Sequence, residues 1–303
     1  MNQEILRKAK SIIQQRKMLN EVKYEERIKS LLNDPRYEEL QKEIIRIEIE
    51  SSRLSVYDKK NQKKSEQLRN RQQYLKKETK LMKKKYGVED VYPTYSCPIC
   101  KDEGFVNGKR CKCFNREVSN QIFMQSGFEK LEDFEKAKKT CGDLAPVYNL
   151  MQKWCKSDFK KNLIYIAGPT GVGKTYLIRA MANELINRGL IVKIETAFQI
   201  DLDFREFTLN FNVEKINKYL EPEILFIDDL GTEPLFKNIT LEYFYLIINE
   251  RKMRKLPTVI TSNLNMSDLL ERYEERIFSR IADRETSINI YLDGDDIRLK
   301  KRK

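Results

Sequence analysis

The sequence of 303 residues contains no histidine. This absence removes the most common general base and metal ligand, so any catalysis must use carboxylates, lysine, arginine, hydroxyl groups or a bound metal. No apolar run of about 18 residues occurs, and the first residues lack the apolar stretch of a secretion signal. We therefore expect a cytoplasmic protein with no membrane partner.

Acidic residues are too few to balance the basic ones, and the formal net charge is +12. Residues 1–92 hold 24 Lys and Arg against 15 Asp and Glu, so a surplus of 9 positive charges lies there. Such a surplus is typical of a protein that binds nucleic acid or an acidic protein. It is equally typical of a solvated, charged helical face, and the charge alone does not separate the two interpretations.

Proline and glycine are scarce in residues 1–92, where only Pro35 and Gly87 occur. Apolar residues recur there at helical spacing, and some repeat every seven residues. They are Leu40, Ile44, Ile47, Leu54, Leu68, Leu75 and Met82. This narrow stripe among Lys and Arg predicts a helical hairpin or coiled coil that packs against itself or a partner. We expect residues 1–92 to form a helical, partner-binding domain, and a spacer helix is the alternative.

Cysteine is sparse but clustered. Four of the six cysteines lie within 17 residues, as the pairs Cys97, Cys100 and Cys111, Cys113. In a cytosolic protein such a cluster holds metal more often than it forms disulfides, and zinc is the default for four thiolates. The second pair is C-x-C rather than C-x-x-C, so an iron–sulfur cluster and free structural thiols stay open. We expect a zinc module and linker over residues 93–125.

Short apolar segments alternate with helical patterning from residue 161 onward. Strands separated by helices predict a parallel sheet covered by helices on both faces, which is an α/β fold. With the helical residues that precede these strands, we expect one domain over residues 126–303.

A glycine-rich segment between the first of these strands and its following helix matches G-x-x-x-x-G-K-[ST]. Its residues are Gly168, Pro169, Thr170, Gly171, Val172, Gly173, Lys174 and Thr175. The glycines let backbone N–H groups point at phosphate oxygens, and the helix N-terminus adds a positive dipole. We expect Lys174 to reach the β- and γ-phosphates of ATP and the Thr175 hydroxyl to bind magnesium.

An apolar strand over residues 224–227 ends in Asp228 and Asp229. The carboxyl ends of parallel strands share one edge of the sheet, so these acids are expected beside the phosphate loop. We expect Asp228 to hold magnesium and Asp229 to act as a base or to position water. Two solvated aspartates in a turn are the alternative.

Later polar residues complete the candidate site. Asn263 follows another apolar strand, where an amide can orient the attacking water. Arg276 and Arg280 lie four residues apart, on one face of a predicted helix. An arginine supplied by a neighbouring subunit often stabilises phosphoryl transfer, although a pair of surface arginines is also possible. Arg298, near the C-terminus, is a candidate to contact the nucleotide of its own chain.

The ordered set of phosphate loop, Asp228-Asp229, Asn263, Arg280 and Arg298 resembles the AAA+ ATPases. The segments Leu225–Gly231, Thr261–Leu264 and Glu275–Arg280 resemble those of DnaC/DnaI-type replicative helicase loaders and the related IstB transposition helpers. The resemblance covers residues 126–303. It implies a slow, regulated ATPase with Arg280 as arginine finger, Asn263 as sensor 1 and Arg298 as sensor 2.

The resemblance also implies partners. In such loaders the ATPase domain self-associates and contacts single-stranded DNA, while a separate N-terminal domain binds the hexameric replicative helicase. A DNA-facing helix is expected between Thr196 and Leu220, with Arg205, Lys215 and Lys218 as possible contacts. The alternatives are an IstB-like helper of DNA transposition and a zinc-dependent nucleic-acid adaptor whose ATPase is vestigial.

Overall fold

We describe a computed structural model that covers residues 3–53, 59–89, 93–128, 130–140, 144–210, 212–236 and 238–297. The chain forms two compact units, one from Ile13 to Glu103 and one that combines the residues through Ile12 with those from Gly104 onward. The functional boundaries predicted after residues 92 and 125 stay predictions. No helix in the described ranges has the length and apolar composition that a membrane span requires.

The chain begins with three helices, α1 (Gln3–Leu32), α2 (Pro35–Arg53) and α3 (Lys59–Tyr86). Helices α2 and α3 pack against each other through buried and half-buried apolar side chains. These are Leu40, Ile44, Ile47, Leu68, Leu75 and Met82. Ion pairs join Glu50 to Lys64 and Glu43 to Arg71, which shows that the two helices run antiparallel. The predicted helical hairpin is thus confirmed, while Leu54 lies outside the described residues.

A short antiparallel hairpin of β1 (Phe105–Val106) and β2 (Lys109–Arg110) precedes helix α4 (Lys112–Met124). Phe105 and Phe114 pack with their ring centroids 5.0 Å apart, which fixes the hairpin against the start of α4.

The remaining elements form an α/β domain. Helices α5 (Phe134–Thr140) and α6 (Ala145–Cys155) lead into β3 (Leu163–Ala167) and α7 (Lys174–Asn187). Strand β4 (Val192–Thr196), helices α8 (Ala197–Asn210) and α9 (Glu214–Leu220), and strand β5 (Ile224–Leu230) follow. The chain continues through α10 (Thr240–Met253), β6 (Thr258–Ser262), α11 (Met266–Ala282) and β7 (Ser287–Tyr291).

The five long strands form one parallel sheet in the order β4-β5-β6-β3-β7. All five side chains of β3 are buried, and successive ones enter opposite cores because side chains alternate along a strand. Ile164 and Ile166 pack in one core, and Leu163 and Tyr165 pack in the other. The predicted parallel sheet with helices on both faces is confirmed.

Helix α11 is interrupted at Glu274, whose backbone has φ 61° and ψ 169°. This conformation strongly favours glycine, so neighbouring contacts must hold it in place. Tyr273 donates a hydrogen bond to the carboxylate of Glu233, and Arg272 donates one to the Glu233 backbone carbonyl. The kink separates the start of α11 from the turn that carries Arg276 and Arg280.

Candidate functional site

The phosphate-binding loop joins the end of β3 to the first residue of α7. Gly168 has φ 153°, and a Cβ atom there would overlap the carbonyl group of Leu292. Gly173 has φ 108° and immediately precedes α7, so the backbone turns sharply before the helix begins. Val172 is buried in the core, whereas Pro169 and Thr170 are exposed at the tip. The loop therefore presents its tip and the helix N-terminus at the carboxyl edge of the sheet.

The ammonium group of Lys174 lies under this loop and is 5% exposed as a residue. It donates hydrogen bonds to the carbonyl oxygens of Gly168, at 2.7 Å, and Pro169, at 2.9 Å. A third bond of 2.6 Å goes to the side-chain oxygen of Asn263. The buried cation is satisfied by three neutral oxygens, which phosphate oxygens can replace with a stronger, charged interaction.

Asp228 is the centre of a second group of contacts. Its carboxylate accepts hydrogen bonds from the hydroxyl groups of Thr175, at 3.0 and 3.2 Å, and Thr261, at 2.5 Å. Burial raises the pKa of Asp228 to about 6, the Asp229 charge adds to this, and the two hydroxyl groups oppose it. A buried carboxylate beside a threonine hydroxyl offers the oxygen ligands that Mg²⁺ prefers.

Asp229 takes a different orientation from Asp228. Its φ of 56° lies in the left-handed region, and the pairing of β5 with β6 shifts register between Ile227 and Leu230. Its backbone N–H donates a 3.0 Å hydrogen bond to the hydroxyl of Thr261. This irregularity leaves the Asp229 side chain partly exposed while Asp228 stays buried.

Thr261 is the site residue that the sequence analysis did not single out. It is fully buried, donates to the Asp228 carboxylate and accepts from the Asp229 backbone. A hydroxyl residue near the end of the strand that precedes Asn263 was the available signal. Its contacts make Thr261 the link between the ends of β5 and β6.

The candidate arginines gather around a tyrosine of α10. The guanidinium of Arg280 donates to Asn249, at 3.0 Å, and to the hydroxyl of Tyr245, at 3.3 Å. The guanidinium of Arg276 lies 4.4 Å from the centre of the Tyr245 ring and pairs with Glu242 at 3.2 Å. Both arginines thus share the predicted face, and their guanidinium groups contact residues of α10 and α11.

Arg298 lies outside the described residues. The segment that leads to it runs along the phosphate loop, because Leu292 donates a backbone hydrogen bond of 2.7 Å to Ala167. Ile297 donates a second one, of 3.0 Å, to the carbonyl of Gly171. The residue preceding Arg298 is therefore held at the loop.

The basic residues expected to face DNA have acidic neighbours. Arg205 pairs with Asp201 at 3.1 Å, and Lys215 pairs with Glu206 at 2.6 Å. Lys215 and Lys218 both pair with the buried carboxylate of Asp203. These contacts neutralise much of the positive charge on α8 and α9.

The four clustered cysteines are free thiols, and Cys97, Cys100 and Cys111 are buried. The buried carboxylate of Asp102 accepts backbone hydrogen bonds of 2.8 Å from Ser96 and Cys97. None of the four is in a disulfide. Four thiols at this spacing in the sequence fit a tetrahedral zinc site with no position left for substrate.

Comparison with known proteins places this site in a family. A family model described as IstB-like ATP binding protein matches residues 114–303. The chain is 28% identical over 233 residues to the phage-like element PBSX protein XkdC of Bacillus subtilis, across 69% of this chain and 86% of that protein.

Two further comparisons concern DnaI. The chain is 29% identical over 114 residues to the replicative helicase loader DnaI of Bacillus subtilis, across 36% of each protein. It therefore spans about a third of the length of that relative. A crystal structure of DnaI aligns with 50% of this chain and 83% of its own, at 30% identity and a TM-score of 0.42.

The family match covers more than half of the chain and includes the phosphate loop, Asp228 and the whole parallel sheet. The chain therefore belongs to the family of IstB-like ATP-binding proteins.

Proposed function

We propose that this protein is an ATP-dependent loader of a hexameric replicative DNA helicase. ATP binding and hydrolysis switch its hold on the helicase and on single-stranded DNA when replication begins. The observation that carries the proposal is the joint placement of Lys174, Asn263, Thr175 and Asp228 at one edge of the sheet. A relative named as a replicative helicase loader supports the choice of client.

In this proposal the loop residues Gly168–Thr175 bind the phosphates of ATP. Lys174 leaves the Gly168 and Pro169 carbonyls and neutralises the β- and γ-phosphates. The oxygens of Thr175 and Asp228 hold magnesium, which neutralises charge that develops on the phosphates. Asp229 and Asn263 orient the attacking water, and Arg298 contacts the nucleotide from its own chain.

Arg280 acts on the ATP of a neighbouring subunit. Within the described chain, its guanidinium group contacts residues of α10 and α11, such as Asn249 and Tyr245. Neutral partners of this kind position a guanidinium without cancelling its positive charge. That charge is needed to stabilise the transition state on a neighbouring subunit. Self-association through the ATPase domain then makes hydrolysis depend on assembly.

Residues 1–92 bind the helicase in this proposal, residues 93–125 hold structural zinc, and residues 126–303 contact single-stranded DNA. The nucleotide acts as a timer, so turnover is slow. The intact contacts of Lys174 and Asp228 argue against a vestigial ATPase in a zinc-dependent adaptor.

The test is co-purification with the replicative helicase of the same host. Size-exclusion chromatography is run with ATP, with ADP and with a Lys174→Ala variant. A stoichiometric complex that needs residues 1–92 and changes with the nucleotide supports loading. Absence of a complex in every nucleotide state, while ATP still binds, contradicts it.

An IstB-like helper of DNA transposition is the second candidate, favoured by the description of the matching family. Such a helper acts with a transposase on duplex DNA. Capture of a transposase, together with failure to bind the helicase, selects this function.

A further inference from the structure

The last turns of α3 carry a run of exposed or half-buried lysines. They are Lys76, Lys77, Lys80, Lys83, Lys84 and Lys85. In the part of the chain that the structure describes, none of these six forms an ion pair with a carboxylate. The helix dipole favours cations in the final turn, which accounts for the last three but not for Lys76, Lys77 and Lys80.

Other basic residues of the same hairpin have acidic partners. Lys42 pairs with Glu38, Lys64 with Glu50 at 2.7 Å, and Arg71 with Glu43 at 2.8 Å. The run on α3 therefore concentrates uncompensated positive charge at one end of the hairpin. An anionic partner gains most from binding at such a place, because no internal ion pair must first be broken.

Three of these lysines line a groove between α2 and α3. The groove has a volume of about 470 Å³, and its walls include Lys76, Lys80 and Lys83 from α3 with Tyr37 and Gln41 from α2. One carboxylate, that of Glu89, also lines it. Cationic, amide and aromatic groups thus meet in one concave surface.

Thr79 supplies an independent observation. It lines the same groove, and its hydroxyl oxygen is buried without a hydrogen-bond partner among the described residues. Buried polar groups normally have a partner, and leaving one unpaired costs about 1–3 kcal/mol. A ligand that brings an oxygen acceptor into the groove, beside Lys76 and Lys80, satisfies this hydroxyl.

We propose that the α2–α3 groove binds single-stranded DNA by its phosphates. Lys76, Lys80 and Lys83 span about 10.5 Å of helix axis at about 1.5 Å per residue. A single DNA strand carries one phosphate per nucleotide, so a row of three cations over this length can contact consecutive phosphates. Tyr37 provides an aromatic face for an unpaired base, which a base-paired duplex does not offer.

This groove lies on the helical hairpin, outside the nucleotide site, and the proposal does not depend on helicase loading. The test measures anisotropy of a labelled oligothymidylate with the full-length protein, across a series of salt concentrations. The variant is Lys76→Gln/Lys80→Gln/Lys83→Gln. The matched control, Lys42→Gln/Lys64→Gln/Arg71→Gln, removes the same charge from ion-paired positions of the same hairpin.

The groove variant is expected to bind about tenfold more weakly, and its plot of log affinity against log salt is expected to be shallower by about 2. The control variant is expected to keep both values, and ATPase activity and melting temperature are expected to stay unchanged in both. Equal losses in the two variants, or no loss in the groove variant, overturn the proposal. If the groove variant no longer captures the helicase but still binds DNA, the proposal is also overturned. The groove then binds an acidic protein surface instead.

Thr79→Val provides a second test that leaves the charge unchanged. Within the part of the chain that the structure describes, the hydroxyl has no hydrogen bond to lose, so the melting temperature is expected to hold or rise. Affinity for the oligothymidylate is expected to fall severalfold, because the strand loses one hydrogen bond. Unlabelled duplex DNA is expected to compete poorly, and equal competition by duplex contradicts a strand-specific groove.

Discussion

The ammonium group of Lys174 donates a 2.6 Å hydrogen bond to the side-chain oxygen of Asn263, 89 residues away in the chain. This bond joins the phosphate loop to the end of β6. We expect phosphate oxygens to compete with Asn263 for the same cation, so that ATP binding would release the Asn263 amide. This one bond would then couple the proposed sensor to the phosphate loop.

Substitutions of Asn263 separate its contact with Lys174 from its proposed role in hydrolysis. Asn263→Asp places a carboxylate against Lys174 and is expected to weaken ATP binding about tenfold, because the ion pair must be broken first. Asn263→Ala leaves Lys174 free, so ATP binding is expected to hold while hydrolysis falls roughly 100-fold. Titration with a fluorescent ATP analogue and single-turnover hydrolysis measure the two effects. Equal ATP affinity in both variants contradicts the coupling.

Asp228 is expected to make the protein less stable as the pH rises. Its pKa is raised to about 6 from its ordinary 3.8, so the folded state favours the protonated form. The contribution to the free energy of unfolding is complete below about pH 4 and is lost as the pH rises through about 6. The change is on the order of 2–3 kcal/mol. Urea titrations of protein without nucleotide or metal, at several pH values, measure it.

Asp228→Asn supplies the control for this dependence. An amide is neutral at every pH, so the variant is expected to be more stable than the native protein at pH 8 and to lack the decline. It is also expected to lose magnesium-dependent hydrolysis, since an amide is a weaker ligand than a carboxylate. If the free energy of unfolding of the variant falls with rising pH as that of the native protein does, another group is responsible.

Arg251 is a buried arginine outside the nucleotide site. It donates hydrogen bonds to backbone carbonyls of Tyr219, Pro222 and Pro257, and to the hydroxyl of Thr258. Arg251→Met removes all of these hydrogen bonds and is expected to lower the free energy of unfolding by about 3 kcal/mol. Arg254→Met, at the end of the same helix, removes one exposed bond to Leu220 and is expected to cost at most about 0.5 kcal/mol. Chemical denaturation compares the two.

Local signals account for the parts of the fold that the sequence predicted. The predicted helix that carries Arg276 and Arg280 and the apolar strand before Gly168 are confirmed, because each depends on spacing within a short segment. The phosphate loop is equally local, since its glycines permit the backbone turn whatever the rest of the chain does. Such features need no knowledge of distant contacts.

Other features depend on contacts between distant segments. No proline or glycine in α11 predicts the kink at Glu274. The neighbouring Tyr273 is held by a hydrogen bond to Glu233, about 40 residues earlier in the chain. The partners of Arg251 come from two separate segments, one around Tyr219 and Pro222 and one at Pro257 and Thr258. The role of Thr261 becomes visible only when β5 and β6 lie side by side. No periodic pattern encodes these relationships.

Arg280 is expected to act only between subunits. Arg280→Ala should bind ATP normally but hydrolyse it roughly 1000-fold more slowly. Mixing it with Lys174→Ala should restore activity, because the first variant supplies an intact nucleotide site and the second supplies the arginine. Arg276→Ala, which loses the exposed pair with Glu242, is the control and is expected to retain most activity. The role is contradicted if turnover per chain does not change with protein concentration and mixing the two variants restores no ATPase activity.

The four cysteines are expected to bind one zinc ion per chain. Metal analysis of purified protein distinguishes zinc from iron, and an iron–sulfur cluster would also give visible absorption. Removal of zinc by a chelator is expected to lower the melting temperature, because the thiols, three of them buried, lose the ion that joins them.

Asp102 provides a sharper test of this site, because it holds the backbone of Ser96 and Cys97 without being a ligand itself. Asp102→Ala frees these two N–H groups and is expected to weaken zinc binding about 10- to 100-fold. Glu103→Ala, which changes an exposed neighbouring acid, is expected to leave zinc affinity unchanged. Competition with a coloured zinc chelator measures both affinities. Equal affinities in the two variants would show that the carboxylate of Asp102 stabilises the fold without orienting the metal ligands.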